Sequence, residues 1–363
     1  MPFRWIVWGV PAALFFLAFL NRVAPGVLAK DLMQAFHVTG TLVGLLSATY
    51  FYSYAGFMIP AGVLVDRFGV RRVVTAGGAV MALGTIAMGA AGSVPVLFAG
   101  RFVIGLGATV TFVGTLKVAA DWFPPSRFGT LSALTATVGV LGALGATAPL
   151  AALVGVAGWR GAFTVLGLVT LALGALCLLA VRDRPAGAGP APAAPRLRQV
   201  LAGTRVVLAN PHTWPPFLAF FCMYAAMGDL QLWVVPYLRD VHALSTSGAA
   251  LYATANSLAL LVAAPLTGFL SDRVVRRRKL PYAALTSAQL VLWATLVATL
   301  GALPLPGFYA LLFAMGLVGG AFVLTWPIGR EVNPPALAGV SVAVVNFGGF
   351  LGAALTQPLL AAI

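Results

Sequence analysis

Four residues that are charged at neutral pH fall inside long apolar segments of the chain, and they are Arg22, Arg101, Lys117 and Asp229. A charge in the middle of a membrane span costs about 2.5–3.5 kcal/mol on insertion scales, so such residues are the first candidates for a functional site. A guanidinium stays charged and offers five donors in a fixed fork, which suits a carboxylate or a phosphate. A carboxylate at similar depth could carry a proton.

Arg22, which follows Asn21, is the strongest candidate for an anion site, and the alternatives are a helix–helix ion pair or snorkelling. Asp229 has three interpretations that stay open. It could couple transport to a proton, it could gate through a pair with Arg22 that opens when substrate competes, or the pair could be static. Pro25 and Pro236 are 211 residues apart, and this offset makes Trp233 the counterpart of Arg22.

Lys117 lies one helical turn before Asp121, which predicts an i,i+4 pair at the membrane interface, with a gate or substrate role as the alternative. Other polar and aromatic residues of the apolar segments could line a substrate cavity, although each is as often, or more often, a packing residue. These candidates are Tyr50, Tyr54, Gln231, Trp233, Trp326 and Asn346.

The composition explains why these charges stand out. Of 363 residues, 61% are hydrophobic and only 8% are charged, and the mean hydropathy is +0.99. A soluble domain carries about 25% charged residues. So few charges cannot cover a water-soluble surface, and the chain is predicted to be a polytopic membrane protein in contact with the lipid bilayer. The net charge of +14 lies in short loops, which indicates membrane orientation signals rather than nucleic-acid binding.

A span needs about 20 apolar residues, and this length predicts eleven spans. They cover residues 5–29, 40–64, 73–92, 95–119, 129–154, 160–181, 213–238, 247–270, 280–301, 306–329 and 336–360. We expect a six-helix bundle over 1–182, a cytoplasmic linker over 183–212 and a second bundle with five helices over 213–363. The linker begins as a flexible Pro/Ala/Gly segment and continues as a short amphipathic helix over 197–210.

Basic residues concentrate in the loops on one side of these spans, which places the N-terminus in the cytoplasm and the protein in the plasma (inner) membrane. The N-terminal apolar stretch is longer than a signal-peptide core, so we interpret it as the first membrane helix.

One charged loop occurs twice. Residues 62–72 read Gly-Val-Leu-Val-Asp-Arg-Phe-Gly-Val-Arg-Arg, and residues 268–278 read Gly-Phe-Leu-Ser-Asp-Arg-Val-Val-Arg-Arg-Arg. Residues 121–129 and 331–339 also match, since each has an acid, two residues, Pro-Pro, three residues and Gly. Landmarks in the same order indicate two similar halves with parallel topology.

The first loop resembles the signature loop of the major facilitator superfamily, and residues 101–107 (Arg-Phe-Val-Ile-Gly-Leu-Gly) resemble its second motif. The resemblance implies an all-α membrane protein with two pseudo-symmetric bundles around a central cavity that opens alternately to each side. It also implies a conformational or proton-relay role for Arg101. In related anion transporters a first-helix arginine often faces the cavity, which favours Arg22 as the anion site.

The motif loop has two interpretations, a turn that sets topology or a latch between the bundles that breaks on alternation. Its residues are Gly62, Asp66, Arg67, Gly69, Arg71, Asp272 and Arg273. Gly62 and Gly69 permit a tight turn and close helix approach. Asp66 could cap the following helix and pair with a nearby cation.

Two departures from the family pattern stand out. Val275 replaces the glycine found at position 69 of the first copy, and the chain ends after an eleventh span where the family has twelve. We expect truncation rather than a natively incomplete second bundle. Gly139, Gly142 and Gly145 suit close packing in span 5, but no paired glycines follow Pro149, which weakens an efflux-antiporter interpretation.

These patterns predict a secondary active transporter for a small organic anion, coupled to protons. The alternatives are drug or metabolite efflux, uncoupled exchange, or a receptor that does not transport. An enzyme is not expected, because neither His-Glu-x-x-His nor Gly-x-Ser-x-Gly occurs. No cofactor or metal is expected, and we interpret Cys177 and Cys222 as buried hydrophobic residues. We expect a monomer.

Overall fold

The computed structural model describes residues 3–124, 128–185, 197–334 and 337–360, and these ranges are helical with no β-strand. The prediction of an all-α membrane protein is therefore confirmed. The helices form two compact units, with α1–α6 in the first and α7–α13 in the second. The predicted Pro/Ala/Gly linker lies largely outside the described residues.

The first unit contains six long helices rich in Ala, Leu, Val and Gly. They are α1 (Phe3–Phe36), α2 (Gly40–Phe68), α3 (Val70–Gly89), α4 (Val94–Trp122), α5 (Phe128–Gly145) and α6 (Ala148–Ala180). Gly69 separates α2 from α3 with a φ of 86°, a conformation that glycine adopts without a steric penalty. The predicted tight turn at this position is confirmed, whereas Gly62 lies within α2 and approaches no other helix.

The second unit begins with the short helix α7 (Leu197–Ala209). It continues with α8 (Trp214–Val241), α9 (Thr246–Phe269), α10 (Lys279–Ala298), α11 (Leu305–Gly319), α12 (Thr325–Glu331) and α13 (Ala338–Leu360). A 3₁₀ segment, Gly320–Leu324, joins α11 to α12, so the predicted tenth span is one helix interrupted near its middle. The buried Cys177 agrees with its interpretation, but the interpretation of Cys222 is wrong, because its side chain is exposed on α8.

Among the described residues, nine helical segments are long and apolar enough to cross a membrane. The two parts of α2, which bend by 52° near Pro60, make a tenth if they form one span. The apolar part of α5, Leu134–Gly145, is shorter. The total of eleven stays a prediction.

The predicted fifth span, 129–154, is interrupted in the structure. Helix α5 ends at Gly145 and α6 begins at Ala148. Pro149 has no N–H to donate to the carbonyl of Gly145, so the helix cannot continue unbroken through this point. The Thr147 hydroxyl instead bonds the Leu144 carbonyl at 2.6 Å. Gly158, with a φ of 67°, then kinks α6 close to the predicted boundary between spans 5 and 6.

The predicted amphipathic helix is present as α7. Val207 is fully buried in a small cluster with Phe217 and Val344, while Leu201 and Leu208 are exposed. Asn210 ends the helix by accepting a hydrogen bond from the His212 N–H. One side of helix α7 thus packs on α13, and another side carries exposed apolar residues.

Glycines bring two helix pairs into backbone contact. A Cβ atom at Gly142 would collide with the Phe16 carbonyl, which joins α5 to α1, and one at Gly352 would collide with the Phe221 carbonyl, which joins α13 to α8. The predicted close packing of the span-5 glycines is confirmed, since Cβ atoms at Gly139 and Gly145 would also press on α1. Small residues that let helices touch are typical of membrane bundles.

We expect Gly142→Ala and Gly352→Ala each to lower the free energy of unfolding by about 1–3 kcal/mol, the usual cost of overpacking a filled interface. Gly155→Ala is the matched control, because no atom lies within 4 Å of a Cβ at that position. Thermal unfolding of the detergent-purified variants measures the difference. A stability of Gly142→Ala equal to that of the control would contradict this packing.

Candidate functional site

The guanidinium of Arg22 lies among aromatic rings inside the first unit. Its Cζ atom is 4.1 Å from the centroid of the Phe19 ring, 5.0 Å from Tyr54 and 5.3 Å from Tyr50. Helix α1 runs past Pro25 to Phe36, so Arg22 lies well inside the helix, and its side chain is only 6% exposed. Aromatic faces stabilise the cation by cation–π attraction, and the planar fork of N–H donors in a guanidinium matches the oxygen atoms of an anion.

Arg101, on α4, lies beside this site and hydrogen-bonds to the backbone of α1. It is fully buried and donates from Nη1 to the carbonyl of Asn21 and from Nη2 to the carbonyl of Arg22, the latter at 2.9 Å. In a regular helix the Asn21 carbonyl would accept from residue 25, but Pro25 has no N–H. Arg101 therefore supplies the donor that the proline removes, which holds the backbone of α1 directly under the Arg22 side chain.

Tyr50, on α2, connects the two arginines. Its ring lies 5.3 Å from the Cζ atom of Arg22 and 4.8 Å from that of Arg101, and its hydroxyl donates to the Ala18 carbonyl at 3.3 Å. Tyr50 and Tyr54 stack with their centroids 5.8 Å apart, as expected for i,i+4 partners on one helix face. Both tyrosines are buried, so they pack around the cation rather than line an open surface.

Asn21 is fully buried, and its side chain hydrogen-bonds within α1 and to α3. Its Nδ2 donates to the Leu17 carbonyl at 3.0 Å, and its Oδ1 accepts from the Thr85 hydroxyl at 3.3 Å. Thr85 and Phe19 were not among the sequence candidates. An aromatic residue three positions before a buried arginine is a signal that could have identified Phe19, whereas Thr85 comes from a helix distant in sequence.

Asp229 belongs to the second unit, where it is 5% exposed on α8 and hydrogen-bonds with Thr356 of α13. The equivalence of Trp233 with Arg22 rests on the proline offset and stays a prediction, while the glycine contacts between helices give a different offset. The carbonyls that contact the paired glycines belong to Phe16 and Phe221, which differ by 205, while Gly142 and Gly352 differ by 210. This register makes Met227 the counterpart of Arg22 and keeps Asp229 at a comparable position along its helix.

The remaining candidates of the second unit form one further contact. Trp326 donates from Nε1 to Asn346 Oδ1 at 3.2 Å, and its ring lies 5.5 Å from Phe322 and 6.0 Å from Phe220. Gln231 and Trp233 are half-buried on α8. The candidates of this unit thus form a Trp326–Asn346 pair and a separate polar contact at Asp229.

The first motif loop binds other helices of its own unit. Asp66 Oδ1 lies 3.1 Å from Lys117 Nζ, and Asp121 Oδ2 lies 3.9 Å from the same nitrogen. The predicted pairing of Asp66 with a cation is confirmed, as is the pairing of Lys117 with Asp121. The predicted helix cap is wrong, because it is Asp183 that accepts from the Arg71 N–H, at 2.8 Å in the first turn of α3.

Arg71 also donates from Nε to the Leu178 carbonyl at 2.7 Å, so the loop is fastened to the C-terminal end of α6 as well as to α4. Asp183 lies against Gly69, where a Cβ atom would be 2.6 Å from its carboxylate. A larger residue at position 69 is therefore disfavoured both by the positive φ and by this carboxylate. The loop motif by itself does not predict the contact with Asp183.

The second motif loop uses different residues. Without a glycine at Val275, the left-handed turn falls one residue later on Arg276, with a φ of 53°. Arg278 forms a salt bridge with Glu331 at the end of α12. The side chains of Asp272 and Arg273 lie outside the described residues. This described pair has its cation on the loop and its acid at the end of α12.

Comparison with known proteins places this geometry in a family. The profile of the Major Facilitator Superfamily matches residues 12–357. The probable sulfoacetate transporter SauU of Cupriavidus necator is 27% identical over 76% of this chain and 66% of its own length. The chain thus spans just under two thirds of that relative. The probable galactarate/D-glucarate transporter GudP of Bacillus subtilis is 22% identical over 97% of this chain and 84% of its own length.

Solved structures agree on the fold. A bacterial homolog of the human lysosomal transporter Spinster, in an inward-facing and unoccupied conformation, superposes with a TM-score of 0.83 and is 19% identical, covering 100% of this chain and 83% of that one. A D-xylose-proton symporter superposes with a TM-score of 0.76 and is 16% identical, covering 98% and 89%. The chain is an integral membrane protein that belongs to the Major Facilitator Superfamily.

Proposed function

We propose that the protein is a secondary active transporter that moves a small organic anion across the membrane by alternating access, coupled to protons. The observation that carries the proposal is the buried guanidinium of Arg22, held over Phe19 and Tyr54 on a backbone that Arg101 fixes. Burial in a medium of low dielectric strengthens the attraction between a guanidinium and an anion. A carboxylate bound there would neutralise the cation and form two parallel hydrogen bonds.

The names of the relatives support the same class of substrate. Sulfoacetate carries a carboxylate and a sulfonate, and galactarate and D-glucarate are dicarboxylates, so each offers at least one planar carboxylate to a guanidinium. Relatives named for tartrate and for nitrate or nitrite are also anion transporters by name. We therefore propose a carboxylate-bearing anion, with sulfoacetate and D-glucarate as the first probes.

The remaining site assignments are part of the proposal. Asp229 is the candidate for proton coupling, against the alternatives of gating and a static pair. Gln231, Trp233, Trp326 and Asn346 are candidates for substrate contact in the second unit. Lys117, through Asp66, ties the motif loop to α4 and is the candidate for gating at that end of the helix. We also propose the cytoplasmic N-terminus that the basic loops predict.

Uptake of labelled sulfoacetate and D-glucarate into proteoliposomes tests the proposal. We expect uptake of at least one anion above protein-free vesicles, with steady-state accumulation increased about tenfold by a proton gradient of about one pH unit if one proton is coupled. Uptake that does not depend on the proton gradient would indicate uncoupled exchange. Binding to the protein without flux would assign a receptor, and transport of cationic drugs alone would assign efflux.

A further inference from the structure

The short helix α7 lies where two membrane spans of the second unit begin. Its buried side packs on Phe217, in the first turn of α8, and on Val344 of α13. A Cβ atom at Gly203 would lie 2.9 Å from Leu337, the residue directly before α13. Both α8 and α13 are long and apolar enough to cross a membrane, and α7 contacts the beginning of each. Helix α7 therefore lies at the level of the membrane–water interface.

A polar network holds α7 in this position. Asn210, directly after α7, donates from Nδ2 to the Val332 carbonyl at 2.8 Å and to Asn333 Oδ1 at 2.9 Å. Asn333 is only 6% exposed, and its own Nδ2 donates to Thr213 Oγ1 at 2.9 Å. Together with the apolar contacts, these hydrogen bonds fix which side of α7 faces away from the bundle.

The outward side of α7 carries two parallel rows of residues. Arg198 and Arg205 are seven residues apart, which is about two helical turns. Leu201 and Leu208 have the same spacing, and all four side chains are exposed. At about 100° per residue the leucine row lies about 60° from the arginine row, on the side nearer the buried Val207. Leucines beside guanidiniums on one exposed strip are typical of a helix that lies in the membrane surface.

The leucine row continues onto the membrane-spanning helix α8. Trp214 donates from Nε1 to the Leu208 carbonyl at 3.1 Å, which holds its indole ring against the end of α7. Trp214 is exposed, and so is Leu218 one turn further along α8. An exposed tryptophan at the start of a membrane span indicates the headgroup region, where amphipathic rings are enriched. The exposed strip of α7 is thus continuous with a part of α8 that suits the lipid interface.

The charge of this segment indicates which kind of lipid it meets. Residues 184–228 contain four arginines and no aspartate or glutamate. The acid at the end of α12, Glu331, is already paired with Arg278. With the cytoplasmic N-terminus proposed above, α7 meets the cytoplasmic leaflet, whose anionic lipids attract basic segments. A guanidinium binds phosphate oxygen atoms through two parallel hydrogen bonds, so phosphodiester headgroups fit Arg198 and Arg205.

We propose that Arg198, Leu201, Arg205 and Leu208 form a surface, which we call the α7 surface, that binds the anionic phospholipids of the adjacent leaflet. The two arginines contact the phosphate groups, and the two leucines enter the boundary between headgroups and acyl chains. Each arginine strengthens the binding about fivefold. The inference goes beyond transport and does not depend on which substrate is carried.

Hydrogen–deuterium exchange of the full chain in lipid nanodiscs tests the α7 surface. We expect exchange of the Leu197–Ala209 amides to slow about tenfold when pure phosphatidylcholine is replaced by a mixture with about 30% phosphatidylglycerol. The double variant Arg198→Gln, Arg205→Gln should lose this slowing. The double variant Arg198→Lys, Arg205→Lys should keep most of it, because the attraction is chiefly between charges. The matched control, Arg277→Gln with Lys279→Gln, removes two exposed charges elsewhere in the same unit and should leave the slowing unchanged.

Equal exchange of α7 in the two lipid mixtures would overturn the proposal. Slowing of the same size by inorganic phosphate in pure phosphatidylcholine would also overturn it, in favour of a site for free anions. Slowing only in samples that contain protein dimers would assign the α7 surface to a second copy of the chain. Should the glutamine double variant not fold, the wild type in phosphatidylglycerol still decides. About 0.5 M salt should reverse most of the slowing, since it screens exposed charges beyond a few ångströms, and slowing that persists in salt would contradict the proposal.

Discussion

Arg22→Lys will bind carboxylate anions about tenfold more weakly than the wild type, and Arg22→Ala about a hundredfold more weakly. An ammonium keeps the positive charge but forms no bidentate pair, and it lacks the planar surface that rests on Phe19 at 4.1 Å. Thermal-shift titration of purified protein with sulfoacetate and D-glucarate measures the affinity. Labelled uptake should fall in the same order.

Arg160→Lys is the matched control for this prediction. Its guanidinium also lies over an aromatic ring of the same unit, 4.1 Å from Trp159, and it donates to the Ala91 carbonyl at 3.1 Å. It is not a candidate for anion binding, so the affinity should stay unchanged. Normal binding and transport by Arg22→Lys would show that the bidentate anion site is incorrect.

Arg101→Leu will lower the free energy of unfolding by about 2–4 kcal/mol, because it leaves the Asn21 carbonyl buried without a donor. Arg101→Lys should lose less, since one ammonium can still reach a carbonyl but cannot span both. Thermal unfolding in detergent measures the loss. Anion affinity should also fall, because the backbone beneath Arg22 is no longer held.

A double-mutant cycle with Pro25→Ala separates this role from simple packing. Alanine at position 25 supplies an N–H that can bond the Asn21 carbonyl within the helix. The cost of Arg101→Leu should then shrink by about 1–2 kcal/mol in the Pro25→Ala background, which is a coupling energy of the size measured for contacting residues. Equal costs in both backgrounds would mean that Arg101 does not replace the donor that Pro25 lacks.

Sequence reasoning identified the residues whose chemistry conflicts with a membrane interior. Arg22, Arg101 and Asp229 stand out because charge is rare inside apolar segments, and Tyr50 and Tyr54 because their spacing places them on one helix face. The family motifs then predicted the all-α fold. The partners of these residues were harder to predict, because Asn21 and Arg101 meet across eighty positions of sequence.

Two further differences between the sequence predictions and the structure also have physical causes. Asp66 was expected to cap α3, but Asp183, brought in by the end of α6, occupies that position. The correspondence between positions of α1 and of α8 was inferred from two prolines, whereas the carbonyl contacts of Gly142 and Gly352 give a different offset. Backbone packing between helices depends on which residues lack a side chain at the crossing, and a pattern of prolines does not encode that.

The glycine contacts also bear on motion. Where the Phe16 and Phe221 carbonyls rest against Gly142 and Gly352, sliding one helix along its partner by a residue would press a side chain into the peptide oxygen. Helices α1 and α5 should therefore travel together as a single rod, and so should α8 and α13. Bending within a unit is then left to the helices outside these pairs, at the bend of α2 near Pro60, at the kink at Gly158 and at the 3₁₀ segment Gly320–Leu324. We expect any transport movement within a unit to bend the helices at these three points, while each helix pair moves as a rigid body.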